Sequence, residues 1–263
     1  MQTRFTVFVP PGPEYDEIGR TYTATRREDP RIAAAISAAL GDAKSVLNVG
    51  AGAGAYEPKD REVLALEPSE VMIAQRPKGA APVMRGSAES IPLRDDSVDA
   101  GMAILSDHHW QDRAAGFSEM RRVARRRVVS FNIDPADFGR YWFASEYLPS
   151  SLELVLPRYR ERGTWERELR WLLGDVRIEP VPIPYDCADG FFGAYWRRPE
   201  MLLDEKVRNG ISVFSRCHAA DVADAIQRLR VDLESGAWHK RHADLLELEE
   251  LDLGYKLVSA EFG

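Results

Sequence analysis

Two clusters of side chains in this 263-residue chain have types and spacings suited to chemistry, and a third invites the question. The first is Gly50-Ala51-Gly52-Ala53-Gly54, set directly behind the apolar stretch Val46, Leu47 and Val49. Glycine admits backbone angles closed to other residues and lets a ligand lie against the main chain. At the end of a buried parallel strand, such a loop is where nucleotides bind in open α/β sheets; a plain tight turn is the competing reading. The second is Ser106-Asp107-His108-His109-Trp110, which follows the apolar run Val98 to Leu105. Imidazole titrates near neutrality, so His108 or His109 suits proton transfer; alternatively one orients the loop and the other faces solvent. The third is His239, His242 and Asp244, which lack the further ligands a metal needs and read as a solvated helix face.

Elements that would position these groups alternate in type. The spacing predicts a helix over Arg31 to Leu40, opened near Pro30 and stopped by Gly41. Strands are expected at Ser45–Val49, Glu62–Leu66, Pro82–Arg85, Val98–Leu105 and Val128–Ile133. Ser69 is placed to cap a helix from Glu70 to Gln75, and a longer helix runs from Asp112 to Arg125. Between Gly54 and Val63 there is room for about two helical turns at most, at 3.6 residues per turn. After Pro135 an aromatic-rich insertion follows, then a helix from Thr164 to Leu173, a Pro-containing edge strand from Asp175 to Ile183, a mostly helical stretch over 184–252 containing Asp221 to Leu233, and a last strand from Gly254 to Phe262. The pattern is α/β, with the loop-rich strand ends on one rim. The organisation expected is an N-terminal arm over 1–40 and a main domain over 41–263, with insertions at about 135–160 and 184–252.

The net charge of −7 argues against general nucleic-acid affinity. The basic run Arg121 to Arg127 reads as a helix end, where cations are favoured. No apolar run reaches membrane-spanning length, no signal peptide is evident, and two cysteines, Cys187 and Cys217, cannot build a disulfide framework. A cytoplasmic protein with neither nucleic-acid nor membrane partner is the expectation.

The ordered motifs Val-Leu-Asn-Val-Gly-Ala-Gly-Ala-Gly, Leu-Glu-Pro-Ser, Gly-Ser-Ala-Glu-Ser-Ile-Pro-Leu and Asp-Asp-Ser-Val-Asp-Ala resemble those of the class I S-adenosylmethionine-dependent methyltransferases, closest to the ubiquinone-biosynthesis-like (type 11) small-molecule branch. They cover about residues 44–134. The resemblance implies a Rossmann-like seven-stranded sheet whose last strand is antiparallel, capped by the helical and aromatic insertions, with S-adenosylmethionine as cofactor and a small molecule as methyl acceptor. It further implies that the main chain of Gly50, Ala51 and Gly52 passes under the methionine part, with Asn48 at the strand end near the cofactor's ammonium and sulfonium. Glu67, with Pro68 beside it, would accept from both ribose hydroxyls. Ser87, Ala88 and Glu89 would lie at the adenine edge, and Leu105 and Ser106 would flank the methionine portion. Tyr15, Tyr22 and Arg26 or Arg27 resemble the N-terminal segment that closes over the cofactor, where an arginine can pair with its carboxylate; a surface helix pair with aromatic packing is the alternative. Three departures stand out. Asn48 replaces a frequent Asp, Ser87 replaces another, and the segment before Val63 is short.

Methyl transfer requires orientation of the acceptor, exclusion of water and, for a hydroxyl, removal of a proton. His108 or His109 is the candidate base. Trp110, Asn132, Asp134, Trp142, Tyr147, Tyr195 and Trp196 are candidates for the acceptor pocket, with core packing the alternative for the aromatics. Two other readings compete: a non-catalytic S-adenosylmethionine-binding module, and an NAD(P)-dependent reductase. The glycine spacing 50, 52, 54 disfavours the reductase, because the dinucleotide fingerprint places its third glycine one residue later. The acceptor, the attacked atom and the oligomeric state stay open.

Overall fold

The computed structural model describes residues 26–155 and 163–262. Seven strands form the main sheet: β1 (Ser45–Val49), β2 (Glu62–Glu67), β3 (Val83–Arg85), β4 (Val98–Ile104), β5 (Ala124–Ile133), β6 (Val176–Pro180) and β7 (Tyr255–Glu261). Their order is β3-β2-β1-β4-β5-β7-β6. The first five pair in parallel, and β7 runs antiparallel to both β5 and β6.

Alternation along each strand builds two cores. Val46, Met102 and Phe131 face the helix α1 (Pro30–Leu40) and the long insertions, whereas Leu47, Ala103 and Val128 face α3 (Arg113–Val123) and α4 (Thr164–Leu173). With both faces covered, the central strands are apolar throughout, as parallel strands require. Helix α1 starts one residue before the expected position because Asp29 caps it, its carboxylate accepting from Arg31 N at 3.0 Å. Helix α2 (Glu70–Ala74) is capped by Ser69, which accepts from Met72 N.

Two places differ from expectation, the basic run Arg121 to Arg127 and His242. The segment from Ala51 to Arg61 contains only turns, so β1 and β2 are joined without a crossover helix. Helix α3 stops at Val123, and Arg125, Arg126 and Arg127 open β5 instead of closing a helix. Tertiary acids hold them there: Arg125 pairs with Asp99, Arg126 with Asp42 and Arg127 with Glu261. The 184–252 stretch is mostly helical, with one long helix, α5 (Ala219–Glu234), among short α and 3-10 helices, and a two-residue ribbon joins Ile183–Pro184 to Glu250–Leu251. His242 is not on a solvated face: it is buried, with Nε2 3.2 Å from Glu146 Oε2, packed against Trp142 and Trp238. Among the described residues no group of three or more His, Cys, Asp or Glu is placed to hold a metal, and no helix is long and apolar enough to cross a membrane.

Candidate functional site

Strand order reverses between β1 and β4, and the carboxyl ends of β1 to β4 open there onto a cavity of about 1580 Å³. Crevices at such switch points are the standard ligand sites of open α/β sheets. The loop after β1 forms its floor. Gly50 has φ +70° and passes so close to β4 that a Cβ would lie 2.7 Å from Ser106 Cβ, which explains the glycine on both conformational and steric grounds. Ser106 Oγ donates to Val49 O at 2.8 Å and ties the two strand ends together.

Glu67 ends β2 with only 5% of its surface exposed, yet it lines the cavity. Its Oε2 accepts from Gly52 N at 2.7 Å and its Oε1 from Ser69 N at 2.9 Å. Each carboxylate oxygen has two lone-pair sites, so one acceptor position remains on each for a ligand. Burial raises the Glu67 pKa above its ordinary value, opposed by those two backbone donors and by Arg76. Pro68, Ser87, Ala88 and Leu105 also line the cavity. Glu89 reaches it too, but its Oε1 accepts from Gln111 N (2.8 Å) and Asp112 N (3.2 Å), so it staples the β3 loop to the start of α3.

Asn48 does not stand alone at the end of β1. Its Nδ2 donates to Glu57 Oε1 at 3.2 Å, and Glu57 is clasped by Arg76 at 2.7 and 2.8 Å. Arg76 also donates to Gly52 O and Ala81 O. The acid missing at position 48 is therefore supplied from the loop. Sequence reasoning overlooked Glu57 and Arg76; the available signal was an acid in a short rim loop beside an Asn.

Asp107, His108 and His109 form a 3-10 turn after β4. His108 and His109 both face the cavity, so the accessible surface of His108 is cavity wall. Enclosure by protein pulls its pKa down to about 4, with Asp107 opposing and Arg216, Arg26 and Arg113 adding to the drop. Burial, His108 and the same Arg216 and Arg26 hold His109 well below its ordinary value. Burial lowers both imidazoles below the ordinary histidine value and so favours their neutral form. Trp110 packs over Gly116, and its buried indole N–H has no hydrogen-bond partner among the described residues; a Cβ at Gly50 would lie 3.6 Å from that nitrogen.

Other anticipated pocket residues lie elsewhere. Trp142 and Trp196 are buried in the core between α1, the sheet and the insertions, their indoles donating to Trp196 O (2.7 Å) and Ile183 O (2.9 Å). Tyr195 is in the same core, and Tyr147 donates to Asp232 at 2.6 Å on the far side of the insertion. None of the four lines the cavity. Asp134 caps the 3-10 turn that starts at Pro135, accepting from Ala136 N, and is not on the cavity wall either. Asn132 is buried beneath His108, not on the wall. Arg26 lines the cavity, and its guanidinium is paired with the buried Asp189 (2.7 Å). Tyr15 and Tyr22 lie outside the described residues.

A bound S-adenosylmethionine would meet a fitting set of groups: glycine main chain without side-chain obstruction, a fixed carboxylate with two open acceptor positions, and an unpartnered indole donor. Strand order and site together define a Rossmann-like methyltransferase fold. A family model described as a methyltransferase domain matches residues 47–129. A crystal structure of a protein from Anabaena variabilis ATCC 29413, named as a methyltransferase from an antibiotic biosynthesis pathway, superposes with a TM-score of 0.82 at 31% identity, over 90% of this chain and 99% of that one. An uncharacterized methyltransferase of Mycobacterium tuberculosis is 36% identical over 91 residues, 32% of this chain and 36% of the relative. The chain thus matches about a third of that curated relative's length. The [4+2]-cyclase SpnF shares the fold at 13% identity and a TM-score of 0.53. The chain belongs to the class I S-adenosylmethionine-dependent methyltransferases, type 11 branch, and S-adenosylmethionine is the cofactor of that family.

Proposed function

We propose that this chain transfers the methyl group of S-adenosylmethionine to a small-molecule acceptor in the cytoplasm. The carrying observation is Glu67, a cavity-wall carboxylate oriented by two backbone N–H groups with one acceptor position open on each oxygen. A ribose diol matches that pair of acceptors. In this reading Gly50, Ala51 and Gly52 run under the methionine part, Ser87 and Ala88 meet the adenine edge, and Leu105 and Ser106 flank the sulfur. Arg26 takes the cofactor carboxylate while keeping Asp189. The cofactor supplies an already activated methyl group, so the chain's task is to orient the acceptor and exclude water.

Support for a small acceptor comes from the net charge of −7, which disfavours nucleic acid, and from the Anabaena relative's name. The reduced thiols Cys187 and Cys217 suit a cytoplasmic setting. The reading of a binding module without catalysis draws on the departures at Asn48 and Ser87, and the Asn48–Glu57 contact answers the first of them. Calorimetric titration with S-adenosylmethionine, its demethylated product and NADH tests the site. Binding of the first two and not the third is expected, and no binding of either at millimolar concentration refutes the proposal. Labelled-methyl transfer into a metabolite extract then tests the reaction.

A further inference from the structure

Resting on the methyltransferase reading, we propose that His108 donates a hydrogen bond from Nε2 to the acceptor's oxygen, that Asn132 is its positioning residue, and that the acceptor enters as an oxygen anion, a carboxylate or an acidic phenol or enol.

The orientation of one amide, that of Asn132, sets the His108 tautomer. Asn132 Oδ1 accepts from Ile133 N at 2.8 Å, while Nδ2 contacts Asp107 Oδ1 and lies 3.1 Å from His108 Nδ1. The opposite orientation would press a carbonyl oxygen against the Asp107 carboxylate. Asp107 is itself fully buried and paired with Arg113 at 2.8 Å, and Arg113 is anchored to Glu168 at 2.5 Å. A carboxylate in that setting accepts, so Nδ2 donates one hydrogen to Asp107 and the other to His108 Nδ1. A neutral imidazole whose Nδ1 accepts carries its proton on Nε2. His108 is thereby a donor with no lone pair left for a substrate proton.

The surroundings match that role. The charged groups facing His108 are Asp107, already held by Arg113 and Asn132, and the cations Arg216, Arg26 and Arg113. The His109 ring lies tilted beside it, centroids 3.8 Å apart at 46°, and feels the same Arg216 and Arg26. Arg26 is balanced by Asp189, and Arg113 by Asp107 and Glu168, so what this end of the cavity offers an acceptor oxygen is the oriented His108 N–H donor. A neutral alcohol must shed a proton on methylation, whereas an oxygen anion has none to shed. The anion's lone pair forms the new O–CH3 bond as the methyl–sulfur bond breaks and its electron pair stays on sulfur. Both charges vanish together and no proton moves. The His108 N–H fixes which lone pair faces the methyl carbon.

Three measurements on the full chain test this. In protein with 15N-labelled imidazoles and the demethylated cofactor bound, His108, assigned by difference from His108→Gln, is expected as the Nε2–H tautomer. Asn132→Ala is expected to add the Nδ1–H form; an Nδ1–H wild-type His108 overturns the proposal. Glutamine keeps an N–H donor and lacks a basic nitrogen, so His108→Gln is expected within about tenfold of wild type, whereas His108→Ala falls by about 100-fold. Equal loss in both variants overturns the donor role. Finally, among acids and alcohols of matched skeleton, label is expected in the acids, and preferential methylation of the alcohols overturns the substrate class. Failure of the underlying methyltransferase reading is seen separately, as absent binding of the demethylated cofactor.

Discussion

Glu67→Gln changes one atom of the cavity wall, and its consequences can be worked from the contacts. Two ribose hydroxyls donating to a carboxylate contribute about 1.5–3 kcal/mol each. The amide keeps one neutral acceptor, worth about 1 kcal/mol, so cofactor binding should weaken by about 2–5 kcal/mol. At about 1.4 kcal/mol per tenfold, the loss is about 30-fold to a few thousandfold. The fold pays less. The new amide nitrogen must face either Gly52 N or Ser69 N, leaving one backbone donor unpaired at a cost of about 1–3 kcal/mol. Removing the buried charge that raises the Glu67 pKa offsets part of this. The assay is calorimetric titration of the demethylated cofactor against both proteins at neutral pH, with melting followed by circular dichroism. A folded variant that binds with wild-type affinity would refute the role assigned to Glu67.

Further outcomes follow from the same contacts. Because the folded pKa of Glu67 lies above its ordinary value of 4.5, protonation stabilises the cofactor-free fold. That contribution is fully present below 4.5 and is lost as pH rises through the raised value, while cofactor affinity changes the other way, falling as pH drops through that value; parallel pH titrations of melting and binding show whether the two slopes oppose. Asp189→Asn removes the buried carboxylate that Arg26, Tyr56 and the Arg27 and Gly190 amides share and should cost about 3–5 kcal/mol in denaturant unfolding; a change under about 1 kcal/mol contradicts the role given to that carboxylate. Gly50→Ala must hold a left-handed backbone and push Ser106, a loss of about 1–2 kcal/mol or more together with weaker cofactor binding. Trp142→Phe removes the bond to Trp196 O and should cost about 1 kcal/mol while leaving methyl transfer and cofactor affinity intact; altered acceptor KM would return Trp142 to the substrate site.

Local signals carried well where local physics decides. The β1 run followed by glycines, the Ser69 cap and the Gly174 stop of α4 are set within a few residues, and each is legible along the chain. What eluded the sequence depends on partners far away. The arginines opening β5 are extended because Asp42, Asp99 and Glu261 arrive from other elements. Aromatic spacing cannot say whether a ring faces a cavity or a neighbouring ring, so Trp142, Tyr195 and Trp196 were open between pocket and core. Glu57 and Asp189 sit in turn-like stretches, where an acid reads as solvated until its arginine is found 19 or 163 residues away. At the histidines, residue type suggests a base, and only the buried Asp107–Asn132 contact redefines which nitrogen is available.

The missing crossover helix between β1 and β2 has a thermodynamic counterpart. Tyr56, at φ +62° within that connection, donates to Asp189 Oδ2 at 3.0 Å and accepts from Asp29 N at 3.3 Å, while Asp189 also accepts from Arg27 N and Gly190 N. The ligand loop is thus braced by the insertion and by the entry to α1, not by a helix of its own. Occupancy of the loop and order in the brace become linked quantities, each raising the probability of the other by the same factor. At a ligand concentration 100-fold above the dissociation constant, about 2.7 kcal/mol of binding free energy is available to resist opening. Amides such as Arg27 and Gly190, remote from the sheet's rim in sequence, will then exchange with solvent more slowly in the liganded protein, and loosening Asp189 will be felt as weaker affinity at Gly52.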